Sequence, residues 1–432
     1  MSLGDRLRQL RRPEPVLDSD PSIPLKERLE ALVAAASRGR GPRTTALALE
    51  ELVQGQRIAN ERGEFFRVEK GFHLDTLHGD VSLSRFRSLT PGGVGVLTGE
   101  PALDGFDLSG AAFLDTETTG LAGGTGTAAF LIGLGFVEGD RFVVRQYFMR
   151  DYHEEAALLH GLGEDLKRFT HLVTFNGRAF DVPLLETRYR LDRGRFPLVG
   201  APHLDLLPPA RRLWKARLDS CSLQSLELAL LGLRRHDDIP GEAIPSVYFD
   251  YVRRRDGRAM ARVFNHNRTD IVSLAALLLR ACHWIEAGEA EDPRDVFSLA
   301  RVLERARLYE RSEAAYWRAV QNDRGSLRVA ALVRLAARAK RAGESEEALR
   351  LWQHASEAGD LLAHRELAVH HEHRSRDLGQ ALKAAESGLD LCSRLGAPLG
   401  VRRDFERRLA RLLSKSARAG RPAAPQRSSE LR

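Results

Sequence analysis

Apolar residues gather in distinct rhythms along the chain. Between residues 111 and 207 they occur as short runs: AAFLDTET (111–118), AAFLIGLGFV (128–137), RFVVRQYFM (141–149), HLVTFNG (171–177) and PHLDLL (202–207). Runs of this length, bounded by Gly, Asp or Asn, predict strands. Glu138-Gly139-Asp140 predicts a tight hairpin between the second and third. EEAALLHGLGEDLKRF (154–169) and DVPLLETRYRL (181–191) instead place apolar residues at helical spacing, the latter with Pro183 in its first turn. Helical spacing then dominates to about residue 288. The order β-β-β-α-β-α-β-α predicts an α/β fold, a mixed sheet flanked by helices.

Over residues 293–412 Ala and Leu recur at helical spacing without any strand pattern. Three segments align: SEAAYWRAV from Ser312, SEEALRLWQHA from Ser345 and LGQALKAAESGL from Leu378. Ala315, Ala348 and Ala381 fall 33 residues apart at each step. Small residues at that period let paired helices approach closely, as in a tetratricopeptide array of about 34 residues per repeat. An ordinary helical bundle is the plainer alternative. Residues 1–43, rich in Pro and Arg with one helical stretch from Ile23 to Ala36, read as a basic, largely disordered arm. Residues 44–110 read as an N-terminal extension packed on the segment that begins at residue 111, and 413–432 as a basic disordered tail.

Composition adds exclusions. At 432 residues with 43% hydrophobic and 29% charged content, the chain fits a multidomain soluble protein. No apolar run reaches membrane-spanning length, and MSLGDRLRQLRRPEPVLDSD lacks the apolar segment of a secretory signal. Cys221, Cys282 and Cys392 are widely spaced, which points to a reducing cytoplasm rather than a zinc ribbon or disulfide framework. The net charge of +7 sits entirely in residues 402–432, which hold ten basic and three acidic residues. That tail is either a phosphate-binding arm or a solvated end.

The candidate chemistry begins in the first strand. Residues i and i+2 of a strand share a face, so Asp115 and Glu117 project together from an otherwise buried run. Two buried carboxylates call for a positive partner, and a divalent cation is the natural one. Three further segments supply acids: FNGRAFD with Asp181, HLDLL with Asp205, and HNRTD with Asp270. His266 lies four residues before Asp270, on the same helical face. Taken singly, Asp181 reads as a first-turn helix residue and Asp270, near Arg268, as a surface ion pair. Their joint occurrence in this order is what points to a site.

These motifs, DTETTGL, FNGRAFD and HNRTD, resemble those of the DEDD superfamily of 3′–5′ exonucleases, within the ribonuclease H-like fold. More closely they resemble the YprB-type nucleases, which pair this domain with tetratricopeptide-like repeats. The resemblance spans residues 111–288, and more loosely 293–412. It implies that Asp115, Glu117, Asp181 and Asp270 are metal ligands. It also implies a nuclease that hydrolyses phosphodiester bonds of DNA or RNA with two Mg²⁺ or Mn²⁺ ions. Asp115 would bridge the ions, Glu117 and Asp270 would complete the nucleophile-side site, and Asp181 would hold the second ion. His266 stands four residues before the last Asp, where one subclass has Tyr, and is the candidate to orient the attacking water. The alternative for His266 is a structural histidine packed beside Phe264.

Thr118 and Thr119 are candidate donors to a phosphate or terminal sugar, and Phe175, Asn176 and Phe180 are candidates to stack on or hydrogen-bond a terminal nucleotide, with core packing the alternative for the two Phe residues. The segment GLAGGTGTAAF (120–130) lacks the Gly-Lys-Ser/Thr ending of a phosphate loop. His370, His371 and His373 read as a solvated helix end or a metal site. The arginines of 240–258 read as phosphate contacts or an exposed face. A non-catalytic nucleic-acid-binding scaffold, recruiting protein partners through the repeats, is the competing function, and the intact acid quartet argues against it.

Overall fold

The computed structural model describes residues 46–120 and 126–419. The whole basic arm with its Ile23 to Ala36 stretch, residues 44–45 and 121–125, and the tail beyond 419 lie outside the described residues.

A seven-stranded sheet carries the architecture. Its strands are β1 (Gln56–Asn60), β2 (Gly63–His73), β3 (Ala111–Thr118), β4 (Ala129–Glu138), β5 (Arg141–Phe148), β6 (His171–Thr174) and β7 (His203–Asp205). Their spatial order is β1-β2-β5-β4-β3-β6-β7. Neighbours from β1 through to β3 are antiparallel, whereas β3–β6 and β6–β7 are parallel. The five expected strands are present, and the expected hairpin closes with Glu138 opposite Arg141 and Gly139 at a left-handed φ of 59°. The fold is therefore the expected mixed sheet with flanking helices, followed by an all-helical region.

Two stretches differ from the sequence expectation. Residues 44–110 do more than pack on the sheet: they supply β1 and β2, with β2 paired to β5 from Phe66 opposite Phe148 to His73 opposite Arg141. Charged residues such as Glu69 and Lys70 interrupt the alternation in β2, so its period-two signal is weak. The last helix runs to Ala419, so residues 413–419 are helical rather than part of a disordered tail.

Strand alternation separates two cores. Ala111 and Phe113 face one side, packed with Phe142, Val144 and helices α1 (Pro91–Thr98), α4 (Leu207–Trp214) and α5 (Leu223–Leu230). Ala112 and Leu114 face the other, with α2 (Glu155–Leu166), α3 (Asp181–Leu191) and α6 (Ile244–Arg254). The 30-residue helix α7 (Arg258–Ala287) joins both, since Met260, Val263 and Phe264 belong to the second core while Ile271 to Ile285 line the first. At 1.5 Å per residue it is about 45 Å long, enough to cross the sheet.

The helical region comprises α8 (Pro293–Arg305), α9 (Tyr309–Asn322), α10 (Ser326–Ala342), α11 (Ser345–Glu357), α12 (Leu361–His373), α13 (Leu378–Leu395) and α14 (Leu399–Ala419). Each helix packs on the next, and Ala315, Ala348 and Ala381 are buried on α9, α11 and α13. The first core continues without a break into α8–α12. Trp214 and Trp284 meet edge to face at the junction, their centroids 5.6 Å apart.

Two glycines on β4 let α7 approach. A Cβ on Gly135 would lie 2.4 Å from Cγ2 of Ile271 and 2.7 Å from the Phe142 ring, and one on Gly133 would lie 2.5 Å from Oδ1 of Asn267. Gly135→Ala is therefore expected to destabilise the chain by about 1–3 kcal/mol. Urea denaturation checks this, and an unchanged midpoint would contradict the account of how α7 is seated.

Candidate active site

The site forms where β3, α3 and α7 converge. Burial along β3 is complete from Ala111 to Leu114 and relaxes from Asp115 onward. Asp115 and Glu117 thus follow Phe113 on its face of the strand. Asp115 pairs in register with Gly133 and Glu117 with Leu131, and the register slips at Glu117/Thr118, ending the regular ladder beside the acids.

Asp115 is held from α7. Nδ2 of Asn267 donates to its Oδ2 at 2.8 Å. Asn267 is itself oriented by Gln146 on β5, whose Nε2 donates to Asn267 Oδ1 at 2.9 Å and to the carbonyl of Phe264 at 2.8 Å. Both amides are fully buried, so this chain of hydrogen bonds fixes α7 against the sheet with little freedom. Asp181 enters from the first turn of α3, and Thr116, between the two strand acids, donates its hydroxyl to Oδ1 of Asp181 at 2.5 Å.

His266 lies one residue before Asn267. Its Nδ1 is 2.7 Å from Oδ1 of Asp238, a carboxylate able to accept from a ring N–H, and 3.3 Å from Nη1 of Arg235. Nε2 then faces the acids, 3.5 Å from Oδ2 of Asp270 and 4.0 Å from Oε1 of Glu117. Glu117, His266 and Asp270 offer ligand atoms within 4.8 Å of one another. Oε1 of Glu117 is buried and has no hydrogen-bond partner. An orphaned carboxylate oxygen among other hard oxygen donors fits a divalent cation.

One cation is built in. Arg235, in the segment between α5 and α6, donates Nε to Oε2 of Glu227 at 2.7 Å and Nη1 to Oδ2 of Asp238 at 3.1 Å. Its Nη2 reaches Oε1 of Glu227 at 2.6 Å and also pairs with Oδ1 of Asp270. Glu227 is fully buried and is satisfied further by the hydroxyl of Ser273. Arg235 thereby ties the helix bearing Asp270 to the carboxylate that orients His266.

The electrostatics follow from crowding. Burial, then the charges of Asp270, Glu117 and Asp181, push Asp115 well above the usual carboxylate range, with the Asn267 amide opposing. Burial and the charges of Asp270 and Asp181 do the same to Glu117, against Arg235. Burial raises Asp181 to about 6 despite the Thr116 hydroxyl, and raises Asp270 against His266 and Arg235. Asp238 moves the other way: burial pushes it up, but His266 and Arg235 outweigh this and hold it low.

The substrate-binding candidates lie at the rim. The hydroxyl of Thr118 donates to the Gly120 carbonyl at 2.8 Å, and that of Thr119 accepts from the Ala128 N–H at 3.0 Å. Phe180 is 58% exposed just before Asp181, which removes it from the core, whereas Phe175 is partly buried against the first core. Asn176 adopts a left-handed φ of 64°. Asp205 secures that loop, accepting from the N–H groups of Asn176 at 2.7 Å, Arg178 at 3.2 Å and Leu207 at 3.0 Å.

Other motifs stay apart from this cluster. His370, His371 and His373 sit on α12, and His371 bonds to Ser375. Arg255, at the end of α6, donates to the Arg150 carbonyl at 2.7 Å. Arg235, Asp238, Glu227, Asn267 and Gln146 were not singled out from sequence. Asn267 stood inside the HNRTD motif and carried a signal; the others lie in a loop, a helix and a strand with no spacing to mark them.

With the geometry in place, the relationship to known proteins is informative. A family model described as the RNase H superfamily matches residues 112–282, the stretch that contains all four acids. Those residues form an RNase H superfamily domain, and the chain belongs to the family of a Bacillus subtilis (strain 168) relative. That relative is described as "Uncharacterized protein YprB" and is 33% identical over 295 residues, 66% of this chain and 70% of the relative.

The raised carboxyls carry a sign. A group protonated more easily in the folded than in the unfolded chain contributes stability that is full below its unfolded pKa, near 4, and lost as pH rises through the folded value. For Asp181 that folded value is about 6. In EDTA the chain is expected to melt higher at about pH 5 than at about pH 7.5, and Asp115→Asn is expected to flatten the slope. Calorimetric melts across that range check this; an equal slope in the variant would contradict the clustering of charge.

Proposed function

We propose that the protein is a divalent-metal-dependent nuclease that hydrolyses phosphodiester bonds of DNA or RNA as a 3′–5′ exonuclease of the DEDD type. The observation that carries this reading is the buried, unpartnered Oε1 of Glu117 facing His266 Nε2 and Asp270. The match of residues 112–282 to the RNase H superfamily supports nucleic acid as the substrate class.

Asp115, Glu117, Asp181 and Asp270 would hold two Mg²⁺ or Mn²⁺ ions, since carboxylate oxygens suit these better than Zn²⁺. Ions bound there would withdraw charge from the scissile phosphate and make water more acidic. The side chains do the rest. Asp238 holds the His266 ring so that Nε2 is free to orient the attacking water or take its proton. Asn267 and Thr116 fix Asp115 and Asp181, so the ligand oxygens need little rearrangement. Thr118, Thr119, Asn176 and the exposed Phe180 would contact the terminal nucleotide, with Phe175 behind them.

The helical region would serve as a tetratricopeptide-like platform for a protein partner. Three buried cysteines without disulfides suit a reducing cytoplasm.

End-labelled single-stranded DNA, RNA and duplex, incubated with Mg²⁺ or Mn²⁺, test the reading. Wild type should shorten a 5′-labelled strand stepwise from its 3′ end, and Asp115→Asn should abolish this. His266→Ala is expected to slow cleavage about 10²–10⁴-fold. Asp238→Asn is expected to slow it about 10–100-fold. Wild type inert with both metals, or an Asp115→Asn variant as active as wild type, would remove the nuclease assignment from this site.

A further inference from the structure

A cleft of about 710 Å³ opens between α4, α8 and α10, where the sheet meets the helical region. Its lining carries Arg211, Arg212, Lys215, Arg301, Arg305 and Arg334 against one acid, Glu304. Arg211 and Lys215 are four residues apart at the end of α4, and Arg301 and Arg305 are four apart on α8. Each pair shares a helical face, and all four side chains are exposed. Like charges at this spacing destabilise a helix, and here two such pairs line one cleft.

The positive charge is poorly compensated. Glu304 is already engaged: its Oε2 accepts from the Tyr316 hydroxyl at 2.8 Å, and its carboxylate pairs with Arg341 at 3.3 Å and Arg334 at 3.7 Å. Arg212 donates to the carbonyls of Leu97 and Thr98, and burial and then the like charge of Arg305 disfavour its charged form. Among the described residues, Arg211, Arg301 and Arg305 have no carboxylate partner within ion-pairing distance. Other arginines of the chain behave otherwise: Arg235 pairs with three acids and Arg150 with three.

We propose that this cleft binds the phosphate backbone of a nucleic-acid strand, as a second contact beyond the carboxylate site. Guanidinium forks match phosphate oxygens, and among the described residues no aromatic ring lines the cleft to stack a base, so recognition would be independent of sequence. Position supports the same occupant. α4 starts beside Asp205, which also anchors the loop leading to Asp181, and its eight residues carry the chain about 12 Å to the cleft. An acidic protein fits less well, because Ala216 and Val302 alone offer little apolar anchor. The proposal takes the strand's identity from the nuclease reading, but its test does not require cleavage.

The experiment measures fluorescence anisotropy of a labelled 20-nucleotide single strand with the full chain in EDTA, at about 50 to 200 mM salt. Arg301→Glu/Arg305→Glu should weaken binding at least about tenfold and reduce the slope of log affinity against log salt by about 1–2. Arg301→Gln/Arg305→Gln should shift both in the same direction by less, and it decides the matter if the charge-reversed chain fails to fold. Hydrolysis of bis(p-nitrophenyl) phosphate, too small to reach the cleft, should be unchanged. Folded variants that bind with wild-type affinity and slope would overturn the proposal while leaving the nuclease reading intact. Binding that is lost in the variants of a chain that cleaves nothing would keep the cleft and remove the nuclease. A poly-glutamate peptide bound as tightly as the oligonucleotide, and lost in the same variants, would assign the cleft to a protein and overturn the proposal.

Discussion

Four carboxylates drawn into one partly dry pocket repel one another, and every other feature near them bears on that repulsion. Asp115 and Glu117 cannot separate, because a strand fixes their spacing and face. Asp181 and Asp270 arrive on helices whose apolar faces are locked into the two cores. The folding energy of the sheet thus holds the acids where their own electrostatics would drive them apart. Hydrogen bonds from Thr116 and Asn267 and the charge of Arg235 lessen the penalty without removing it, since all four carboxyls remain raised. Such a site is poised to gain stability from a cation, because binding relieves a strain the scaffold imposes.

The scaffold achieves this through α7. That helix carries His266, Asn267 and Asp270 within five residues and then continues as the central apolar rod of the first core. Gly133 and Gly135 clear its path on β4, and Gln146 grips it from β5. The same core runs on into the helical region, so the site and the helical region share one packed body. The basic cleft lies along that shared seam, reached from the site by α4.

Much of this was legible in the sequence, for physical reasons that differ by element. The strands β3 to β7 were readable because buried parallel and central strands are nearly continuous apolar runs. β1, at the sheet edge, and β2, beside it, were not, because their charged residues break the alternation. The acids stood out by short-range spacing: two apart on a strand, or four from a histidine on a helix. Arg235 and Asp238 had no such marker. They come from an irregular segment, and only the tertiary fold brings them to Asp270 and His266, 35 and 28 residues away. The exposure of Phe180 was hidden for a similar reason, since the turn at Asn176 sets its direction. The basic cleft was invisible too, because its two arginine-rich faces lie far apart in the chain.

The central claim is that these carboxylates form a divalent-metal site, and direct ion binding tests it most closely. Mn²⁺ titration followed by electron paramagnetic resonance, on wild type and Asp115→Asn, reads occupancy without any substrate. The account predicts specific Mn²⁺ binding by wild type that is displaced by Mg²⁺ and lost in the variant. Wild type that binds no Mn²⁺, or a variant that binds it as well, would contradict the account.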